Sequence, residues 1–249
     1  MINERQIREI EFHDKKFSSQ GDTPLHYSFG ISDYCVNRML DLVGDIKGKN
    51  VIDFGCGDGW LSAILASRGA EVLAFDISGE AVEKTKRFLG ERGLLEKVEI
   101  RQMSGEDLLY GDGTVDVIIG VAVLHHTELG TVVSELYRVL KKGGKAFFME
   151  PLGHNPFLNI YRRLTPRYRS TDEKPLMMSD FDLFHSFHVY HEGHHLTTLM
   201  AGFLGGILKN KRIYERMFKV TLQIDRFLLR VFPLLSKYCW YTIIVLEKK

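Results

Sequence analysis

Four groups of residues in this chain have types and spacings that could do chemistry. The first is the run Asp53-Phe54-Gly55-Cys56-Gly57-Asp58-Gly59, with glycine at alternate positions directly after an apolar stretch. Glycines there let the backbone turn sharply and let a ligand approach the main chain. The second is the set His13, His125, His126 and His154. Imidazoles titrate near neutral pH and suit general-base work, and each can equally be a structural hydrogen bonder. The third is the cluster Arg163, Arg167 and Arg169, able to clamp a phosphate or carboxylate by paired hydrogen bonds or to stand on the surface. The fourth is His191-Glu192-Gly193-His194-His195, which fits His-Glu-x-x-His, with Glu215 at a plausible distance for a third zinc ligand.

Spacing narrows these options. A dinucleotide fingerprint needs glycines at 55, 57 and 60, but position 60 is Trp60, too bulky where helix, strand and pyrophosphate meet. No Gly-Lys-Ser/Thr follows, which excludes a P-loop. The zinc pattern needs His191 and His195 on one face of a regular helix; Phe187–His191 reads as strand and Gly193 interrupts any helix through it. No metal is therefore expected, and a zinc-dependent hydrolase is kept only as an alternative that a metal analysis decides.

The elements that must position these residues follow from hydrophobic periodicity. The first ~19 residues read as a helix with Ile7, Ile10 and Phe17 at compatible spacing. A second helix covers Asp33–Val43 and ends at Gly44. Strands are predicted at Asn50–Phe54, Glu71–Phe75, Val98–Arg101, Val115–Ile119 and Lys145–Glu150, separated by helices after Trp60, after Ala81 and over Leu129–Leu140. That alternation specifies a parallel sheet with helices on both faces, and ligands then bind beyond the carboxyl ends of the strands. Beyond Glu150 the sequence predicts a cap with a short helix at Asn155–Leu164 and a strand over His185–His191. Two apolar stripes at helical spacing follow: Leu196, Leu199, Met200, Phe203, Leu204, Ile207, Leu208, and then Met217, Val220, Ile224, Phe227, Leu228, Val231. Tyr238–Leu246 closes as an antiparallel strand.

The glycine turn resembles the first motif of the class I S-adenosylmethionine-dependent methyltransferases, and the resemblance runs over about Asn50–Glu150. Asp76 ends the second strand, Glu106-Asp107-Leu108 and Asp112–Ile118 lead into the fourth, and Leu124-His125-His126 follows it. Tyr137-Arg138-Val139-Leu140-Lys141-Lys142-Gly143-Gly144 is similar to the family's approach to the fifth strand. The resemblance implies a cofactor, S-adenosyl-L-methionine, released as S-adenosyl-L-homocysteine. It implies contacts from Asp53, Gly55, Cys56, Gly57, Asp58, Gly59, Ile77, Ser104, Gly105, Glu106 and Val121, with the Asp76 carboxylate on the ribose hydroxyls. Where the family often has an acid for the adenine amino group, this chain has Ser104; its hydroxyl or Glu106 could take that bond. The histidines on cofactor-facing loops become candidate bases, His126 first, then His125 and His154, with His13 added if the first helix closes over the pocket. A non-catalytic S-adenosylmethionine-binding module is the alternative of a different class.

Composition bounds the rest. Cys35, Cys56 and Cys239 are few and irregularly spaced, which argues for a reducing compartment. The charged N-terminus has no secretory pattern and no apolar stretch approaches the ~20 residues of a spanning helix, so a cytoplasmic protein is expected. Residues 1–150 hold 18 Lys and Arg against 24 Asp and Glu, whereas residues 151–249 hold 15 against 8. The basic half points to an anionic substrate or a membrane surface, or to ordinary solvated helix faces.

The expected fold is α/β, a doubly wound, mostly parallel seven-stranded Rossmann-like sheet with a helical cap and an N-terminal helical lid. One domain spans 1–249: lid 1–45, cofactor core 46–150, cap and helical substrate region 151–235, last strand 236–249. The expected function is methyl transfer to a small-molecule or lipid-linked acceptor, with O-methylation favoured. Peripheral contact with the inner membrane face is open and no nucleic-acid partner is expected, because Val121-Ala-Val-Leu-His-His stands where base-modifying enzymes carry an Asn-Pro-Pro-Tyr-like motif.

Overall fold

Short apolar strands joined by amphipathic helices can bury both faces of each strand only in a parallel sheet with helices on either side. The computed structural model, which describes residues 2–18, 31–201, 204 and 211–249, has that architecture. Helices α1 (Glu4–Ser18) and α2 (Ile31–Val43) come first. They are followed by β1 (Asn50–Phe54), α3 (Trp60–Ser67), β2 (Glu71–Asp76), α4 (Gly79–Gly90), β3 (Val98–Gln102), β4 (Val115–Val121), α5 (Leu129–Val139) and β5 (Leu140–Pro151). The remainder is α6 (Pro156–Leu164), β6 (Phe187–His194), α7 (Lys211–Val231) and β7 (Tyr241–Lys248).

The seven strands form one sheet in the order β3-β2-β1-β4-β5-β7-β6. β1 to β5 run parallel, and β7 lies antiparallel between β5 and β6. The order reverses between β1 and β4, so their carboxyl ends open the crevice where such sheets bind ligands. Alternate residues feed two cores. Ile52, Phe54, Ile118 and Phe148 pack with Val132 and Leu136 of α5 on one face. On the other, Val51, Val117, Ile119 and Phe147 pack with Met39 of α2 and Leu65 of α3.

Besides shifts of two or three residues at the ends of β6 and β7, three elements differ from expectation. β5 starts at Leu140 rather than Lys145, because Leu140 pairs with Val115 before the register shifts. The first helix buries Gln6 and Glu9 rather than Ile7, which is 46% exposed, while Ile10 and Phe17 are half-buried. In α7 the stripe of Val220, Ile224, Phe227 and Val231 faces outward, and the helix buries Tyr214 and Asp225 instead. The Asp225 carboxylate accepts hydrogen bonds from the amides of Leu196 (3.0 Å) and Thr197 (2.7 Å) and from the hydroxyls of Thr197 and Thr198 (2.6 Å each). It thereby caps the helical turn that begins there. Most of the second half of the expected Leu196–Leu208 stripe, Phe203, Ile207 and Leu208, lies outside the described residues.

Candidate active site

The glycine turn leaves β1 at the switch point. Gly55 and Gly57 take left-handed φ values of 74° and 56°, which only glycine adopts without strain, and the turn curls back on β2. Cys56 N donates to Phe75 O (2.8 Å), and Gly57 N donates to Asp76 Oδ2 (3.0 Å). Ser78 N donates to the other Asp76 oxygen at 3.0 Å. Burial pushes the Asp76 carboxyl above its usual range, and these two amides act against that. Asp53, deeper in the strand, is raised to about 7 by burial and bonded by Ser62 Oγ (2.5 Å).

These residues line one cavity of about 1070 Å³. One end is walled by Asp53, Gly55, Cys56, Gly57, Asp58, Asp76, Ile77, Ser104, Gly105, Glu106 and Val121. Of the residues expected here, only Gly59 stands off the wall; it packs on Thr85 and starts α3 with a φ of 86°. α1 lies across this end through its buried polar face. Gln6 Nε2 donates to Ser104 Oγ (2.9 Å) and Glu106 Oε2 (3.1 Å), and Arg5 pairs with Glu106. Asp14 accepts from Ser78 Oγ at 2.5 Å.

His13, His125 and His126 line the same cavity. Glu150, at the end of β5, accepts from the amides of Val123 (2.9 Å) and Leu124 (2.8 Å) with one oxygen. Its second oxygen is hydrogen-bonded to His125 Nδ1 at 2.7 Å. Burial raises Glu150 to about 7 and pushes His125 down to about 4. His126 turns the other way: its Nδ1 lies 3.1 Å from Oε2 of Glu9 on α1, and His13 Nε2, one helical turn along, lies 3.4 Å from the same oxygen. Burial and His125 lower the His126 pKa, and Glu9 opposes them only in part. Glu9 itself is held well below the usual carboxylate range; burial works against this, but the His126 and His13 nitrogens and the Ser170 hydroxyl outweigh it.

His154, expected as a further base, is off the cavity wall. Its Nε2 accepts from Met178 N at 2.9 Å, so it braces the cap. The arginines also need one correction. Arg167 and Arg169 line the cavity, but Arg163 is exposed and its neighbour Arg162 takes the inward position. Arg162 is tied to Leu152 O (3.0 Å) and lowered to about 10 by burial and by Arg169. Arg169 donates to Glu173 Oε1 (2.8 Å), and its buried Nε has no hydrogen-bond partner. Tyr161, Tyr168, Trp240 and Tyr241 complete the cavity wall.

Sequence reasoning missed Glu9, Glu150, Arg162 and Glu173. The four-residue spacing of Glu9 and His13 signals the first, and a carboxylate at a strand's carboxyl end signals the second; nothing local marks the others. The His-Glu-x-x-His run lies in β6 and its edge, not on a helix. Glu192 is held by Arg38 (2.7 and 3.1 Å), and His195, at φ 63°, sets its Nε2 3.1 Å from Cys35 Sγ.

Comparison with known proteins agrees with this geometry. A methyltransferase-domain family model matches residues 52–148. The chain is 31% identical over 170 residues to a ubiquinone biosynthesis O-methyltransferase of Nitrosomonas europaea, an alignment covering 65% of this chain and 70% of that protein. A protein of the same name from Acinetobacter baumannii is 32% identical over 147 residues, covering 58% and 60%. Among solved structures, the YcgJ protein of Bacillus subtilis superposes with a TM-score of 0.62 at 18% identity, over 87% of this chain and 99% of that one, which shows the shared fold. With a glycine turn at the switch point, an acid at the end of β2 and a relative aligned over most of its length, the chain belongs to the class I S-adenosylmethionine-dependent methyltransferases.

Proposed function

We propose that this enzyme methylates an oxygen of a small-molecule or lipid-linked anionic acceptor, with His126 taking the acceptor's proton. The observation that carries this reading is the Glu9–His126 contact on the wall of the same cavity that reaches the glycine turn. The cavity fits S-adenosylmethionine at the glycine end. Gly55 and Gly57 present bare backbone there, and each Asp76 oxygen, already bonded by one amide, keeps a lone pair for a ribose hydroxyl. Ser104 and Glu106 stand beside Asp76 at the adenine end, under α1. A side chain at Gly105 would run into the Phe54 ring. When bound, the cofactor supplies a methyl group activated by a cationic sulfur.

The chain's own work is then to orient the acceptor, exclude water and remove a proton. His126 turns Nδ1 to Glu9, so Nε2 is the nitrogen left to accept the proton, and Glu9 stabilises the imidazolium that forms. Loop 122–126 is fixed for this by Glu150, and Lys174 N, which donates to His125 O at 2.8 Å, ties the cap to it. Arg162 and the unpartnered Nε of Arg169 suit a carboxylate or phosphate on the acceptor. Oxygen is favoured over nitrogen because the relatives are named O-methyltransferases. Peripheral membrane contact belongs to the same reading: the outward stripe of α7 is flanked by Arg212, Arg216, Lys219, Arg226 and Arg230.

The test is transfer of labelled methyl from S-adenosylmethionine to a panel of hydroxylated carboxylate and phosphate acceptors. His126→Ala should lower turnover by about 10²–10⁴-fold while S-adenosylhomocysteine binding stays intact. Full turnover in the variant removes the base, and transfer only to amines overturns the oxygen assignment.

A further inference from the structure

We propose that Glu9, His13 and His126 form a binding site for one divalent transition-metal cation on the cavity wall under α1. The sequence pattern points to no metal, and His13 and His126 stand in it only as candidate bases. The inference rests on the methyl-transfer reading solely for the statement that the acceptor enters this cavity.

Geometry comes first. Glu9 and His13 stand four residues apart on α1, so both project from one helical face, and His126 meets them from the loop after β4. One ligand atom from each of Glu9, His13 and His126 lies within 4.8 Å of the other two. The two nitrogens are 3.1 and 3.4 Å from the oxygen. Donors held about 2.1 Å from one tetrahedral cation are separated by about 3.4 Å, so two of the three edges already have the required length.

The second observation is the state of the oxygen. Glu9 Oε2 is buried and has no hydrogen-bond partner, although two imidazole nitrogens stand beside it. His126 Nδ1 is hydrogen-bonded instead to Ser170 Oγ at 3.4 Å. A buried carboxylate oxygen without a partner is costly unless something of opposite charge faces it. Its sister oxygen is fixed by Ser170 Oγ at 2.6 Å, the kind of outer bond that orients a metal-bound carboxylate.

Two imidazoles and one carboxylate suit zinc-like cations better than magnesium, which prefers oxygen and water. The neighbouring trio of His125, His126 and Glu173 is less apt, because His125 is engaged by Glu150 and Glu173 by Arg169. The remaining side of the cation would open to the cavity. An acceptor hydroxyl entering there would release its proton to water and stay as the bound oxyanion. His126 is then a ligand in the loaded protein and a base in the metal-free one.

The experiment uses the full-length chain freed of metal by a chelator and titrated with Co²⁺. A visible ligand-field band should grow to saturation at one equivalent and be displaced by Zn²⁺. Glu9→Gln and His13→Ala should each weaken Co²⁺ binding by about tenfold or more, while His191→Ala in the unrelated His-Glu-x-x-His run leaves it unchanged. Absence of a saturable band in the wild-type chain, or wild-type affinity in Glu9→Gln, overturns the site. Should Glu9→Gln fail to fold, His13→Gln makes the same comparison. S-adenosylhomocysteine calorimetry on the same samples reads the other proposal separately: lost heat there sinks methyl transfer and leaves the cation result standing.

Discussion

His126 shows how residue-scale electrostatics shapes the reaction. Burial and the adjacent His125 favour its neutral form, and Glu9 only partly reverses this, so its pKa lies below the ordinary 6.5. A base works while unprotonated, so kcat should hold as pH falls through 6.5 and decline only below it. A pH profile whose acid limb lies above 6.5 contradicts this assignment. Asp76 makes a second residue-scale prediction. Asp76→Ala removes a charged acceptor from the ribose end and should weaken S-adenosylhomocysteine binding by about 1.5–3 kcal/mol. Unchanged affinity by calorimetry would sink the ribose role. Their positions were legible because Asp76 ends β2 and His126 lies in the loop after β4. Arg162 was not: one residue along a helix turns the side chain about 100°, and nothing in Arg162-Arg163 tells which one faces the cavity.

At the scale of elements, the loop after β4 depends on the end of β5. Glu150→Ala strands two buried amides and a buried imidazole and should lower stability by about 3 kcal/mol or more, read as a fall in Tm. Glu150→Gln keeps a carbonyl for the amides and should fold, yet it should change the pH response. In the fold Glu150 is raised to about 7 and His125 lowered to about 4, so between these values both are neutral. The unfolded chain there carries an imidazolium and a carboxylate, which is the same number of protons, so the pair adds almost no slope. With glutamine only the depressed histidine remains. The unfolded state then binds the extra proton, and stability falls as pH drops from 6.5 toward 4. Acidifying from pH 7 to 5 should cost Glu150→Gln about 2 kcal/mol more than wild type; equal Tm losses would refute the pairing. Such cross-element pairs are invisible to periodicity. The strands and crossover helices were readable because their burial follows local pattern, but α1 buries Gln6 and Glu9 for reasons set by Ser104, Glu106 and His126, about a hundred residues away.

Across the whole molecule, charge and apolar surface are distributed unevenly. The acidic half builds the cofactor core and the basic half builds the cap and α7. The sequence showed the α7 stripe but not which way it faced, since sheet, partner and membrane all satisfy helical spacing equally well. Asp225 decides it. By turning inward to cap the turn at Thr197, it points the opposite face, with Phe227 65% exposed, away from the core, and withdraws a negative charge from the outer surface. α6 adds Phe157, Ile160 and Leu164, the last 76% exposed, and Asn155 at its start donates to Tyr238 O (2.7 Å) in the turn that follows α7. No helix among the described residues is long and apolar enough to cross a membrane. Each basic residue near an anionic leaflet is worth about 1 kcal/mol and is screened by salt. The chain should therefore sediment with phosphatidylserine-containing vesicles at low salt, release at high salt, and ignore neutral vesicles. Phe227→Asp and Leu164→Asp remove exposed apolar area without touching the core, so they should abolish sedimentation and leave Tm and S-adenosylhomocysteine binding unchanged. If wild type stays in the supernatant at low salt, sedimentation velocity should instead find a dimer that Phe227→Asp dissolves, and the stripe would be a contact between copies of the chain.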